Sequence, residues 1–217
     1  MKNDLTIPAL LKEAAIFAEA ECAHSEPSLY GVTDGKAVGT YLEHKFTTHL
    51  MDGYSFAGGN SASGIDIPSI NVDIKVTSVK QPQSSCPYKS ARQKIFGLGY
   101  NLIIFVYDKF DDQKARTGRL DIKHTIFIEK HLTGDFQMTK GLREILERDG
   151  NEEDLIAFMM DKNLPIEEIE ANNIAAALMK QMPVQGYLTI SNALQWRLQY
   201  SRVIQQAGTV AGLTRIT

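Results

Sequence analysis

The chain has 217 residues, 43% hydrophobic and 23% charged, enough to bury the core of one soluble domain. No run approaches the roughly 18 apolar residues of a membrane span, the start Met1-Lys2-Asn3-Asp4 lacks a signal-peptide pattern, and cytoplasmic placement is the expectation. A net charge of −3 argues against a protein that coats nucleic acid non-specifically, and two isolated cysteines, Cys22 and Cys86, are too few for a disulfide framework or a zinc site.

In chain order, Ile7 to Cys22 is rich in Ala, Leu and Glu, with Leu10, Leu11, Ala14, Phe17 and Ala18 at helical spacing, so a first helix is expected there. Residues His24 to Tyr30 form a polar, proline-containing loop. Thr33 and Asp34 supply N-cap chemistry for a second helix to about Met51, with Val38, Leu42, Phe46 and Leu50 at steps of four and Gly39 as its weak spot. A Gly/Ser/Asn-rich loop from Gly58 to Gly64 leads into a hairpin with Pro68-Ser69 at its tip. Gln81 to Pro87 reads as an irregular polar loop, Ser90 as the cap of a short basic helix over Ala91 to Leu98, and Leu102 to Tyr107 as a central strand buried on both faces. Asp108 to Gly118 is expected to be a charged loop and Ile122 to Ile128 a strand. From Gly141 the pattern turns helical: Leu142 to Arg148, Glu152 to Lys162, Pro165 to Met182 with proline at the helix start, and Ser191 to Gln206. The sum is an α/β protein, with a small mixed sheet between helices and a helical C-terminal third. One domain over residues 1–217 is expected, with residues 141–217 as a helical subdomain within it.

The chemistry concentrates at Asp73-Ile74-Lys75. On a strand, Asp73, Lys75 and Thr77 share one face, and Val72, Ile74 and Val76 share the other, which reads as core. With Pro68-Ser69 at the tip, Ile67 falls opposite Ile70 and Asp66 opposite Asn71, bringing Asp66 to the face of Asp73 and Lys75. Two carboxylates that close require either a cation between them or a retained proton. Taken alone, the triplet fits a surface ion pair as well, and the same pattern recurs at Asp121-Ile122-Lys123, where no upstream acid stands at hairpin distance. Glu43 adds a third carboxylate: it lies three residues before Phe46 and seven before Leu50, at the edge of the apolar stripe, where an acid needs a partner.

Other candidates carry less. Ser84-Ser85 has no histidine nearby and no strand-turn-helix elbow; Gly97-Leu98-Gly99 ends a helix instead of opening one after a strand. His124, Glu129 and His131 read as surface residues, and Trp196 and Tyr200, one helical turn apart, as core. Charge is segregated: no acid occurs from Ile74 through Tyr107 or from Ala171 to Thr217, and acids concentrate between Asp108 and Glu170. Such a pattern suits a protein presenting one face to a polyanion.

With Glu43, Asp66, Asp73 and Lys75 identified, the chain resembles the PD-(D/E)xK nuclease superfamily, whose signature is a helix Glu, a hairpin Asp and an acid-x-Lys on the next strand. The six residues between Asp66 and Asp73, and the helix residues Lys36, Gly39, Leu42 and Glu43, look most like the branch of the mismatch-repair nicking endonuclease MutH; Ile65 stands where many members have proline. The resemblance implies a restriction-endonuclease-like fold and Mg²⁺-dependent hydrolysis of DNA. Asp66, Asp73, Glu43 and the carbonyl of Ile74 would hold the metal, and Lys75 would position and help deprotonate the attacking water. Under this reading Lys80, Gln81, Gln83, Ser84, Ser85, Lys89, Arg92, Gln93 and Lys94 contact DNA. The compact size resembles a type II restriction endonuclease, which implies double-stranded DNA as substrate and a homodimer. A nicking or junction-resolving repair nuclease, and a non-catalytic DNA-binding protein, remain the alternatives.

Overall fold

The computed structural model describes residues 2–59, 64–86, 89–191 and 196–217. The chain divides into two compact units, one of Met1–Ser84, Asn101–Ile128 and Gln206–Thr217, the other of Ser85–Tyr100 and Glu129–Gln205. The architecture is mixed α/β, with a central mixed sheet and flanking helices.

In the first unit, α1 (Ile7–Ala23) starts at Thr6, whose hydroxyl accepts the Ala9 N–H, with proline in its first turn. α2 (Gly35–Gly53) starts at Asp34, whose carboxylate accepts the Lys36 N–H at 3.0 Å. The expected stripe of α2 is buried in full at Val38, Leu42, Phe46 and Leu50. Two short strands, β1 (Asn3–Asp4) and β2 (Tyr54–Ser55), pair in parallel beyond the helix ends. The main sheet has the order β3-β5-β6-β9, from β3 (Val72–Ser78), β5 (Asn101–Asp112), β6 (Thr117–Ile128) and β9 (Leu213–Arg215). β3 and β5 are parallel; β5–β6 and β6–β9 are antiparallel. Val72, Ile74, Ile103, Phe105 and Phe127 join the helices in one core, where Phe46 lies 5.0 Å from Phe17 and 4.9 Å from Phe105 between ring centroids. Leu102 to Val106 are fully buried, as a strand covered on both faces must be.

The segment expected as a charged loop, Asp108 to Gly118, is instead the outer end of the β5–β6 ribbon. On the β5 side Asp108 to Asp112 are half-buried or exposed throughout, so the apolar alternation that marks a strand is lost there, while Gly118 of β6 is buried against Leu29. The turn is closed by Asp112, whose carboxylate accepts the N–H groups of Lys114 and Ala115 at 2.8 and 3.0 Å.

The second unit holds α3 (Arg92–Phe96), α4 (Phe136–Leu146), α5 (Glu152–Asp161) and α6 (Glu168–Lys180). β4 (Gln83–Cys86), β8 (Trp196–Gln199) and β7 (Thr189–Ile190) form a three-stranded sheet in that order, and α7 (Ser201–Gln206) follows β8. α3 is shorter than the expected Ala91 to Leu98 and its N-cap is Ala91 in place of Ser90, whose hydroxyl still accepts the Arg92 N–H at 3.2 Å. α4 begins well before Leu142, because Asp135 caps it and Gly141 is an internal contact: a Cβ there would lie 2.1 Å from the Phe158 ring. α6 begins three residues after Pro165. β4 replaces the expected loop. The expected helix from Ser191 is replaced by β8 and then the short α7; its residues 192–195 lie outside the described ones. Trp196 and Tyr200 are fully buried, but Trp196 stands on a strand, not one helical turn from Tyr200. No described helix is long and apolar enough to cross a membrane.

Candidate active site

The hairpin before β3 differs from the two-residue tip expected. Ile67 pairs with Val72 through reciprocal backbone hydrogen bonds of 2.9 and 3.1 Å, and Pro68–Ile70 forms a 3₁₀ turn closed by Asn71 in the left-handed region at φ 55°. Asparagine tolerates that conformation because its short polar side chain satisfies the backbone locally. The four-residue connection shifts the register, so that Asp66 is next to the Ile67–Val72 bridge and comes opposite Asp73 instead of Asn71.

Asp66 reaches across the hairpin. Its Oδ2 accepts the Ile74 N–H at 2.7 Å, and its carboxyl group stands close enough to Asp73 to raise that group's pKa. Because the N–H of Ile74 is spent on Asp66, outside the sheet, its carbonyl opens to the same edge of β3; the N–H and C=O of one strand residue point to the same side. Lys75 Nζ lies 2.7 Å from Asp73 Oδ2. Glu43, half-buried on α2, is close enough that Asp66, Lys75 and Asp73 all act on its proton affinity.

The electrostatics follow from three acids and one cation in a dry corner. Burial pushes the Asp73 carboxyl up to about 7 against the pull of Lys75, and the hydrogen bond and charge of Asp66 add to the rise. Burial likewise raises Glu43 to about 7, with Asp66 and Asp73 adding and Lys75 opposing. Burial acts against the Lys75 ammonium, yet Asp73, Asp66 and Glu43 together hold its pKa above the ordinary lysine range. A corner that holds carboxyl protons near neutral pH is one that a divalent cation would fill by displacing them. Among the described residues, no group of three or more His, Cys, Asp or Glu side chains would hold a metal by itself. The groups that could hold one here are Asp66, Asp73 and the outward carbonyl of Ile74, with Glu43 at the margin, all oxygen donors of the kind that suits a hard cation.

The second Asp-Ile-Lys triplet is the internal control. Lys123 Nζ and Asp121 Oδ2 are 2.6 Å apart on β6, much as in the first triplet, but their side chains are 43% and 32% exposed against 18% and 5% for Lys75 and Asp73. Their neighbour is Cys22, whose Sγ accepts the Ile122 N–H at 3.1 Å; Asp108 stands opposite Asp121 across the β5–β6 pair and acts on Lys123, but the Ile122 N–H goes to a thiol and not to a carboxylate as the Ile74 N–H does.

The expected DNA-contacting residues divide. Lys80, Gln81, Ser85 and Lys89 are exposed, and Gln83 and Ser84 are half-buried. Arg92 is paired with Glu170 at 3.2 Å and lies over the Phe96 ring, and the Gln93 amide donates to the Leu98 carbonyl at 3.1 Å. Lys94 is only 4% exposed, its pKa lowered by burial with Asp135 opposing, so it serves the interior of the second unit and not a DNA surface. Thr77, which the motif does not single out, proves structural for this region. Its hydroxyl accepts the Gln83 N–H at 2.9 Å and lies 3.0 and 3.2 Å from the carbonyls of Gln83 and Gln81, fastening the loop after β3 to that strand. Its place on the face of Asp73 and Lys75 was the available signal.

A family model described as type II restriction enzyme NspV matches residues 4–215. The type II restriction enzyme NspV of Nostoc sp. (strain ATCC 29411 / PCC 7524) is 63% identical over 212 residues, covering 98% of this chain and 96% of that protein. No solved structure matches the chain.

Proposed function

This chain belongs to the family of the type II restriction enzyme NspV, and we infer from that membership and the geometry of the β3 hairpin how it cuts DNA. It is a sequence-specific endonuclease of double-stranded DNA. We assign the hydrolysis to Asp66, Asp73, Lys75 and Glu43, in the manner of the PD-(D/E)xK nucleases and with the spacing of their MutH-like branch. The observation that carries the assignment is the buried Asp73–Lys75 pair with Asp66 bonded across the hairpin to the Ile74 N–H.

Asp66, Asp73 and the Ile74 carbonyl would hold Mg²⁺, with Glu43 at the margin. The bound ion would supply Lewis-acid polarisation of the phosphate and a water of lowered pKa. The protein's own contribution is positional. Asp66 fixes the β3 edge through the Ile74 N–H. Asp73 holds the Lys75 ammonium at 2.7 Å, so that its remaining protons are directed at a water or a phosphate oxygen. Lys75 keeps its proton in this setting, so it orients the water and stabilises the charge that grows on the phosphate, in place of serving as the base. Lys80, Gln81, Gln83, Ser84, Ser85 and Lys89 are read as DNA contacts. Cutting both strands of a palindrome calls for two copies of this site, hence a homodimer acting in the cytoplasm.

The test is a digestion of long double-stranded DNA with Mg²⁺, with EDTA and with Ca²⁺. Discrete, reproducible fragments in Mg²⁺ alone are expected. Nicks without double-strand breaks, or cleavage that persists in EDTA, would overturn the reading.

A further inference from the structure

We infer that the exposed face of β8 reads bases in the major groove, through Arg197 and Gln199. The inference goes beyond the cleavage chemistry and rests only on the enzyme's being sequence-specific.

β8 runs Trp196-Arg197-Leu198-Gln199 with strict alternation. Trp196 and Leu198 are buried at 1% and 0% exposure, while Arg197 and Gln199 are exposed. Trp196 and Leu198, with Ile190 of β7 and Cys86 of β4, anchor the inner face of the three-stranded sheet. Ser85, Thr189, Arg197 and Gln199 remain for the outer face, where every side chain is a hydrogen-bonding one and no acid occurs. Arg197 has no carboxylate partner among the described residues. The wider segment agrees, since no Asp or Glu occurs from Ala171 to Thr217.

The platform is rigid where it has to be. β8 is the inner strand, paired on both sides by β4 and β7, and Ser191 clasps its start: the Ser191 hydroxyl accepts the Arg197 N–H at 2.9 Å, and the Ser191 N–H donates to the Arg197 carbonyl at 3.1 Å. Side chains held on such strands are placed more reproducibly than side chains on loops.

The spacing and chemistry fit duplex DNA. Alternate residues on a strand are about 6.7 Å apart, and two base steps along one DNA strand rise about 6.8 Å. Arginine pairs bidentately with O6 and N7 of guanine, and glutamine with N6 and N7 of adenine, in a groove wide enough for a β-ribbon. The expected reading is a guanine by Arg197 and an adenine by Gln199, about two steps apart.

The test uses the full-length enzyme and a duplex carrying its site, as defined by wild-type fragments in Mg²⁺. That wild-type pattern alone decides the endonuclease reading; the variants decide this one. Arg197→Ala, Arg197→Lys and Gln199→Ala are compared on the parent duplex, on duplexes with each base pair replaced in turn, and on duplexes with 7-deazaguanine or 7-deazaadenine at single positions, with circular dichroism melting as the control for folding. Arg197→Ala should lose roughly 10- to 100-fold in kcat/KM. It should no longer discriminate at one G·C pair, and should be indifferent to the deaza substitution there that slows the wild type; Gln199→Ala should do the same at one A·T pair. Three results would overturn the inference: unchanged cleavage, an equal fold loss on every duplex, or recovery of kcat/KM by Arg197→Lys on every duplex alike with no discrimination at the G·C pair, the last two of which mark phosphate contacts.

Discussion

The Asp66 carboxylate accepts the Ile74 N–H at 2.7 Å across a four-residue turn, and this bond fixes the acid against the edge of β3. It draws a hairpin acid onto the outer edge of β3, beside Asp73 and within the field of Lys75 and Glu43. The same residue pattern on β6 faces Asp108 across the ladder, but its middle N–H is taken by Cys22 and its ion pair remains exposed. Burial and the second strand of the hairpin, more than the triplet, distinguish the two.

The crowded acids make the metal-free protein sensitive to pH. Asp73 and Glu43 have folded pKa values of about 7, above their ordinary 3.8 and 4.5. Between those values the folded state holds protons that the unfolded state has released, so stability falls as pH rises toward 7 and levels off above it. In EDTA, the wild-type melting temperature should therefore fall more steeply from pH 5 to pH 8 than that of Asp73→Asn. Mg²⁺ should stabilise the wild type more at pH 8 than at pH 6, because fewer protons compete for the site. Parallel melting profiles for the two proteins would refute this.

Thr77→Val tests the loop anchor. Valine matches the shape but removes the hydroxyl that accepts the Gln83 N–H, leaving that N–H only its 2.8 Å bond to the Gln81 carbonyl, at a cost of about 0.5–1.5 kcal/mol. The melting temperature should drop by several degrees. Steady-state cleavage should show a raised KM with kcat nearly unchanged, since the loosened loop carries expected DNA contacts and the carboxylates are untouched. A lowered kcat at constant KM would place the effect of Thr77 in the catalytic step instead.

Two glycines should respond with opposite signs. A Cβ at Gly39 would stand 4.0 Å from Val76 Cβ, an ordinary contact, so Gly39→Ala should stabilise α2 by about 0.5–1 kcal/mol. At Gly118 the same Cβ would come within 2.8 Å of Leu29 Cβ and 2.9 Å of its backbone, where Gly118 and Glu26 exchange hydrogen bonds. Gly118→Ala should cost about 1–3 kcal/mol. Denaturant midpoints of the two variants check both, and shifts of the same sign would count against this packing.

Much of the fold could be read from periodicity, because α1, α2 and β5 bury stripes that follow the helix and strand repeats. What escaped was structure whose pattern is set by tertiary surroundings. The Asp108–Asp112 end of β5 is half-buried or exposed throughout, β4 has no apolar residue before Cys86, and α4 runs through Gly141 because the Phe158 ring occupies the space beside it. The alternation of Trp196 to Tyr200 was present but lay inside a segment of high helical propensity. At the site, residue types and spacing gathered Glu43, Asp66, Asp73 and Lys75. The turn register and the burial of Lys94 depend on contacts that no local pattern encodes.

The most direct measurement compares Asp73→Asn with Asp121→Asn for cleavage of the cognate duplex in Mg²⁺ and for binding to it in Ca²⁺. Asp73→Asn should abolish cleavage while still binding DNA, and Asp121→Asn should cut like the wild type. Substantial cleavage by Asp73→Asn, or equal losses in both variants, would contradict a catalytic site at the β3 hairpin.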